Sequence, residues 1–594
     1  MKVDILVAEI GSTTTVVNAF RGLDTDNPVF WGQGQAPTSV LEGDVRVGLQ
    51  GAVDDLCKNK GISKIEYDQM LATSSAAGGL KMTVHGLVYD MTAKAAKEAA
   101  LGAGGIIHMV TSGRLRRTDI KKIKEIGPNL ILIAGGVDYG ERDTALDNAE
   151  MIRSMGLKVP VIYAGNVENQ EEMKLIFDEE SGQQLYIVDN VYPKIDMLNV
   201  EPCRKVIQQA FEQHITQAPG MEHVRDMVSG PIIPTPGAVM EATKVLYDCI
   251  GDLMVIDVGG ATTDVHSVAI ESDKVARIMN APEPKAKRTV EGDLGLYVNR
   301  YKVIESIGEE ELRKECEEEL HIDLDKTLDS YVAIPKNEDE FKLVERLCRE
   351  ATFKAVERHA GQLRYIYGPS GRSTVAEGKD LTMVKYIVGT GGALTRLPHR
   401  VDIMSEIYKQ NITGMRLFPT EHAEVLVDND YIMASLGVLS KTNREAAIKL
   451  LEHSLDMKFP EKKPEDEIYT LNTKAMQELD EELAEKDAKE EERKEHIREM
   501  EALGYDMSAY KEENQEPIGG ANARGPEGQI HDPAKAALEA GAGVAGKWEF
   551  SGNAGAECTL DVDPSKPWNN CNRECDICTH SHCPNNPRNP KNRN

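Results

Sequence analysis

Short apolar runs that stop abruptly in glycine recur along most of this chain. Ile5 to Ala8, Leu130 to Ala134, Val159 to Ala164, Gln184 to Val188, Leu253 to Val258 and Tyr386 to Val388 read as buried strands. Several end in small-residue turns, at Gly135-Gly136, Gly165-Asn166 and Gly389-Thr390-Gly391-Gly392. A strand, a glycine turn and then a helical pattern is the grammar of α/β layers, whose ligands sit at the carboxyl ends of the strands. Leu87 to Leu101 is Ala-rich and predicts a helix, broken by Gly102-Ala103-Gly104-Gly105. Beyond Pro460 the pattern changes. Glu465 to Glu513 is dense in Glu and Lys, with Met476, Leu479 and Leu483 as a thin apolar stripe that stops at Lys486 and Asp487. That reads as a solvated helix held by i,i+4 ion pairs, with a partner-binding helix as the alternative. Pro517 to Gly528 is a linker, Ala534 to Gly546 a short helix, and Pro584 to Asn594 too polar for a core.

Two of the strand-end turns match each other. Glu9-Ile10-Gly11-Ser12-Thr13-Thr14 closes the first strand, and Asp257-Val258-Gly259-Gly260-Ala261-Thr262-Thr263-Asp264 closes another. Each offers an acid, glycine and hydroxyls in the same order. Glycine lets backbone N–H groups converge on a phosphate, hydroxyls add donors, and the acid can hold Mg²⁺ directly or through water. Two such turns point to a nucleotide held between related halves. The turn Gly389-Thr390-Gly391-Gly392 is suited to lie flat against an adenine and ribose. Asp257 is the first candidate for the Mg²⁺ or water-positioning carboxylate, and Asp264 the second, with a capping role as its structural alternative. In Lys287-Arg288-Thr289-Val290-Glu291-Gly292-Asp293, Glu291 or Asp293 could orient water and Lys287 or Arg288 offset phosphate charge. The same string also reads as a helix start. His266 reads as a structural histidine.

Composition narrows the classes. The chain has 594 residues, 41% hydrophobic, 5% aromatic, and a formal net charge of −29. That charge argues against non-specific binding to nucleic acid or an anionic membrane, though not against a local basic patch. No apolar run is long enough to span a bilayer and no signal peptide is evident, so the cytoplasm is the expected location. Cys57, Cys203, Cys249, Cys316 and Cys348 are scattered and read as reduced structural thiols. Cys571, Cys575, Cys578 and Cys583 crowd into the tail, with Cys558 nearby. Their spacing suits a tetrahedral Zn²⁺ site, with an iron–sulfur cluster or free thiols as alternatives.

The order of phosphate turn, second phosphate turn and strand-Gly-x-Gly-Gly turn resembles the actin, sugar kinase and heat-shock chaperone superfamily. A narrower resemblance rests on Thr73 to Leu80, Ala134 to Val137, Tyr163 to Asn166, Asp189 to Pro193, Pro234 to Val239, Asp257 to His266, Lys287 to Gly295 and Gly389 to Gly392. These strings resemble the glutamate mutase accessory family, the GlmL or MutL type, over about Met1 to Leu455. The resemblance implies a two-lobed α/β actin-like ATPase fold, with mixed sheets flanked by helices and a C-terminal helical and Cys-rich extension. It implies ATP and Mg²⁺ as ligands. It also implies an accessory or reactivating role toward an adenosylcobalamin-dependent mutase, such as glutamate mutase or an amino-acid aminomutase. In that family the first turn usually opens with Asp and is often followed by Lys, whereas this chain has Glu9 and Val16. Those departures bear on hydrolysis more than on binding, so ATPase activity is left open. A small-molecule kinase and a non-hydrolysing scaffold are the rival readings, and a homo-oligomer is compatible with all of them. The expected organisation is a first lobe over 1–100, an inserted α/β region over 101–230, a second lobe over 231–460, a charged helical segment over 461–516, and a linker with a metal-binding tail over 517–594.

Overall fold

Two five-stranded sheets repeat one plan. In the first, β1 (Lys2–Ile10), β2 (Thr14–Arg21) and β3 (Val29–Pro37) run antiparallel, and β4 (Glu66–Ser74) and the short β10 (Ile232–Pro234) add parallel on the other side of β1. In the second, β11 (Leu253–Val258), β12 (Thr263–Val268) and β13 (Ala286–Glu291) run antiparallel, and β16 (Tyr386–Thr390) and β17 (Glu424–Val427) add parallel beside β11. Both central strands are almost wholly buried because helices cover both faces. This duplicated α/β arrangement is the two-lobed actin-like fold. The computed structural model describes residues 1–39, 43–75, 80–215, 220–221, 223–368, 371–460 and 474–502. Its contacts divide into a unit Met1–Lys489, described below, and a unit Glu490–Asn594, of which residues 490–502 are described. Ala76 to Gly79, the linker at 517–528, the helix expected over Ala534–Gly546, and Cys558, Cys571, Cys575, Cys578 and Cys583 lie outside the described residues.

A third sheet interrupts the first lobe between β4 and β10. Its five parallel strands are β5 (Lys81–Gly86), β6 (Ile106–Ser112), β7 (Leu130–Ile133), β8 (Val161–Tyr163) and β9 (Leu185–Ile187), in the order β6-β5-β7-β8-β9. That is a doubly wound sheet with its strand reversal at β5 and β7. It opens at β5, ahead of the boundary at residue 100 expected from the sequence. Asparagines tie its carboxyl-edge loops together. Asn166 Oδ1 accepts from the Tyr139 and Glu168 amides, and Asn190 Nδ2 donates to the Gly136 carbonyl and Asp138 Oδ1.

The lobes cross through two helices. Helix Thr235–Ile250 leaves β10 and leads to β11, while helix Met433–Leu439 follows β17 and packs back on β1 and β4. They approach at Gly437, where a Cβ would run into the Ala238 carbonyl. The charged helix Lys474–Ala502 is not simply solvated over its first half. Leu479 and Leu483 are buried with Leu363, Ala376 and Leu417, against the hairpin β14 (Gln362–Gly368) and β15 (Gly371–Glu377). Glu478 accepts from the Tyr365 hydroxyl at 2.8 Å and Glu482 from the Thr374 amide at 2.9 Å. Cys57, Cys203, Cys249, Cys316 and Cys348 are free thiols. Burial pushes Cys203 and Cys348 up to about 12, so they stay protonated. Among the described residues no helix is long and apolar enough to cross a membrane.

Gly437→Val should force the two crossing helices apart and cost about 1–3 kcal/mol, the usual range for overpacking. Thermal unfolding reads this directly, and an unchanged midpoint would mean that the crossing is not tightly packed.

Candidate functional site

The two matching turns fold identically. Gly11 N donates to Thr14 O at 3.0 Å, and Gly259 N donates to Thr262 O at 3.0 Å. In register, Glu9 stands opposite Val16 and Asp257 opposite Asp264. Both turns line one cavity of about 290 Å³ between the lobes, together with Ser74, Ser75, Thr235, Arg288, Gly392 and Tyr431. Gly11, Ser12, Thr13, Thr14, Gly259, Gly260, Ala261 and Thr262 all face it. Thr263 turns away and donates to the Leu294 carbonyl at 2.7 Å.

An adjoining recess of about 190 Å³ shares Gly259, Gly260, Tyr297, Gly392 and Arg396 with this cavity. Its walls are apolar or aromatic, from Tyr331, Ile334, Pro335, Phe341 and Val344. Of the Gly389–Gly392 turn, Gly392 borders both hollows, and a Cβ there would meet open space. Gly391 has φ +82°, and a Cβ would strike the Asp257 carboxylate, so only glycine fits. Gly389 packs on Met404, and Thr390 Oγ1 donates to Asp428 at 2.9 Å, so both brace the turn from behind.

The acids differ in what holds them. Glu9 is buried, and its Oε1 accepts from Ser435 Oγ at 2.5 Å, Ser435 N at 3.1 Å and Asn18 Nδ2 at 3.2 Å. Asp264 is buried against Arg288, which donates from Nε at 2.8 Å, and its other oxygen accepts from Thr262 Oγ1 at 2.9 Å. Asp257 is half-buried and lines the cavity beside them. Burial pushes Glu9 up to about 7, with the charge of Asp428 adding to it. Burial, then the charges of Asp264, Glu9 and Asp428, push Asp257 up to about 7 as well. Burial also raises Asp428, against hydrogen bonds from Ser454, Ile432, Met433 and Thr390. Asp428 and Ser435 were not singled out by sequence. The signal for Asp428 was present, since Val425 to Val427 is an apolar run ending in an acid.

The string from Lys287 to Asp293 is not a helix start: β13 carries it as far as Glu291. Alternation sends Arg288 and Val290 toward the cavity, while Lys287 pairs with Glu283 at 2.7 Å. Glu291 and Asp293 are both held by Arg358 at 2.7 Å and do not line the cavity. His266 is buried on β12, and neither ring nitrogen has a partner among the described residues. Burial, with Arg288 nearby, keeps it neutral.

Arg288 also joins the site to the inserted region. It donates to the Leu101 carbonyl at 2.9 Å and the Gly105 carbonyl at 3.3 Å, at the end of helix Lys94–Gly102. The carbonyl end of a helix favours a cation. Gly104 and Ile106 of the same segment line the cavity.

The site's donors fit a Mg²⁺–nucleotide. The two turns line one cavity with backbone and hydroxyl groups, the adjoining recess has the apolar and aromatic walls that a base would need, and the Asp257 carboxylate borders the space between. Among the described residues no group of three or more His, Cys, Asp or Glu is placed to hold a metal ion by itself. Phosphate oxygens would therefore complete the shell of any Mg²⁺ held here. The raised carboxyls set a pH dependence. The folded protein keeps protons on Glu9 and Asp257 between about pH 4, where unfolded carboxyls release them, and about pH 7. At these two groups the folded state then binds more protons than the unfolded one, so their contribution to stability falls as pH rises through that window. The buried neutral imidazoles of His85, His266 and His359 act in the opposite sense over part of it, so the effect of Asp257 is read as a difference: nucleotide-free Asp257→Asn should gain thermal midpoint relative to the unsubstituted protein as pH rises from about 4 to about 7. A difference that stayed constant or shrank over that range would contradict the arrangement of these acids.

Comparison with known proteins agrees with the sequence. A family model described as MutL protein matches residues 5–455. Protein MutL of Clostridium tetanomorphum is 36% identical over 461 residues, covering 76% of this chain and 98% of that protein. Among solved structures, acetone carboxylase in its nucleotide-free form overlaps 74% of this chain and 70% of its own, at 12% identity and TM-score 0.34. A glycerol dehydratase reactivase overlaps 74% and 100%, at 10% identity and TM-score 0.22. On the match over residues 5–455 and the 36% identity, the chain belongs to the MutL protein family.

Proposed function

We propose that this protein is a cytoplasmic, ATP-dependent accessory protein that reactivates an adenosylcobalamin-dependent mutase, glutamate mutase or an amino-acid aminomutase. The observation that carries the reading is the pair of identical turns facing one cavity between two lobes, in a chain of the MutL family. Bound Mg–ATP supplies a polyanion that spans both turns and a phosphoryl group open to hydrolysis. The turn 11–14 would hold it from one lobe and the turn 259–262 from the other, so binding would favour the closed arrangement. A ligand that binds the closed state better than the open one shifts the equilibrium toward closure. Asp257 would hold the Mg²⁺, directly or through water, and is the acid best placed to orient an attacking water. Arg288 passes lobe movement to the inserted region through the Leu101 and Gly105 carbonyls.

Turnover by this site is slow. Glu9 is committed to Ser435 and Asn18, and Asp264 to Arg288, which leaves one open carboxylate. Slow hydrolysis suits a timer more than a metabolic kinase. Mg–ATP should raise the thermal midpoint of the full chain, and Asp257→Ala should weaken Mg–ATP binding at least about tenfold, a loss of roughly 1.4 kcal/mol. In an assay with inactivated mutase and free adenosylcobalamin, recovery should need both this protein and ATP. A chain that binds no Mg–ATP, or leaves recovery unchanged, would sink the reading. The tail thiols Cys571, Cys575, Cys578 and Cys583 are proposed to hold one Zn²⁺. Metal analysis of the full chain should find about one zinc per chain, lost in Cys575→Ser with Cys578→Ser. Iron with a visible charge-transfer band would reassign the site to an iron–sulfur cluster.

A further inference from the structure

One segment of the inserted region carries the charge opposite to the rest of the chain. From Arg114 to Glu125 stand six cations, Arg114, Arg116, Arg117, Lys121, Lys122 and Lys124, against two acids, in a chain of formal net charge −29. Three of them precede or open the helix Arg117–Ile126. The helix macrodipole favours acids at that end, so these arginines do not serve helix stability. Ile120 and Ile123 turn toward the core beside β7, which leaves the cations outward. Two exposed pairs partly answer them, Arg114 with Asp147 at 2.9 Å and Lys121 with Glu125 at 3.7 Å. Exposed pairs of this kind hold charges only weakly.

Beside this helix runs β6, the outermost strand of the inserted sheet. Among the described residues no strand pairs with its outer edge. Its sequence, Ile106-Ile-His-Met-Val-Thr-Ser112, is half-exposed, rich in β-branched residues, and free of the Pro, Lys or acid that usually blunts an open edge. A shift in register against Met82 and Thr83 is its one irregularity. Two hollows of about 590 and 550 Å³ lie along strand and helix and share Thr111 and Asp119. His108, Met109 and Val110 form the strand wall, and Arg114, Arg116 and Lys122 outnumber the acids Asp119 and Glu125 on the helix wall. The strand begins at the nucleotide cavity, which Gly104 and Ile106 line.

We propose that this groove captures an extended acidic segment of a partner protein, which adds to β6 as a further strand of the inserted sheet. Main-chain pairing with an open edge supplies affinity that any extended peptide could use, and the flanking cations select acidic side chains. A nucleic acid would meet the cations but leave the strand edge unpaired, so a peptide uses more of what the groove offers. The proposal stands apart from the nucleotide reading, because neither the groove nor its charge depends on ATP.

The test uses the full chain and a fluorescent twelve-residue peptide of alternating Glu and Val. It should bind more tightly than the alternating Lys-Val peptide. Arg116→Glu with Lys122→Glu should weaken it by about tenfold or more, as should N-methylation of alternate peptide amides. Both substitutions lie on the surface, and an unchanged circular dichroism spectrum and thermal midpoint would show the variant folded. Equal binding of the N-methylated peptide would overturn strand addition, and equal binding by the charge-reversal variant would overturn the site. Displacement of the peptide by single-stranded oligo-dT at equal or lower concentration would reassign the groove to nucleic acid. A dimer in sedimentation that the variant breaks would reassign it to a second copy of this chain.

Discussion

Three carboxylates, from Glu9, Asp257 and Asp264, border one cleft with Asp428 close behind them, and the Arg288 guanidinium is bonded to Asp264. Like charges in a poorly solvated space cannot all ionise, so the site settles them individually. Asp264 takes the guanidinium. Glu9 and Asp428 take hydroxyl and amide donors. Asp257 has the weakest protein counterpart and the most open position. The cleft thus holds a carboxylate without a protein cation, and a divalent cation arriving with the proposed nucleotide would answer it.

The same contacts join parts of the molecule that are far apart in sequence. Glu9 of the first lobe bonds to Ser435, 426 residues later, on the helix that packs against helix 235–250. The first turn is therefore anchored to the crossing between the lobes. Arg288 does the corresponding work for the second turn, linking Asp264 to the carbonyl end of helix 94–102. Arg204 strengthens that seam from the other side, donating to the Ala286 carbonyl at 2.7 Å and the Glu98 carbonyl at 3.3 Å. A change at either turn has a short mechanical path to a lobe boundary or to the inserted sheet.

The inserted sheet accounts for several sequence strings that the cavity does not use. Ala134 to Val137, Tyr163 to Asn166 and Asp189 to Pro193 meet at its carboxyl edge, where Asn166 and Asn190 bond across three loops. Their small residues and asparagines are needed because the loops approach closely. A Cβ on Gly165 would meet the Gly135 backbone at 2.8 Å. His85, on the same sheet, is held by Thr111 and Thr83 and pushed down to about 4 by burial, which suits a structural imidazole.

The expected strands at Ile5, Leu130, Val159, Gln184, Leu253 and Tyr386 all exist, because buried parallel strands announce themselves as apolar runs. The strands β2 and β13 were hidden because polar residues such as Asn18 and Arg288 are buried within them by partners elsewhere in the chain. By itself the sequence determined the two turns, since acid, glycine and hydroxyl act within a few residues of one another. It also determined the order of α/β segments, which follows from local periodicity. Only the tertiary structure decided which acid remains open to the cavity, that Glu291 belongs to Arg358, and that Leu479 is buried while its helix looks solvated. Those outcomes turn on burial and on partners tens to hundreds of residues away, and no local pattern along the chain encodes them.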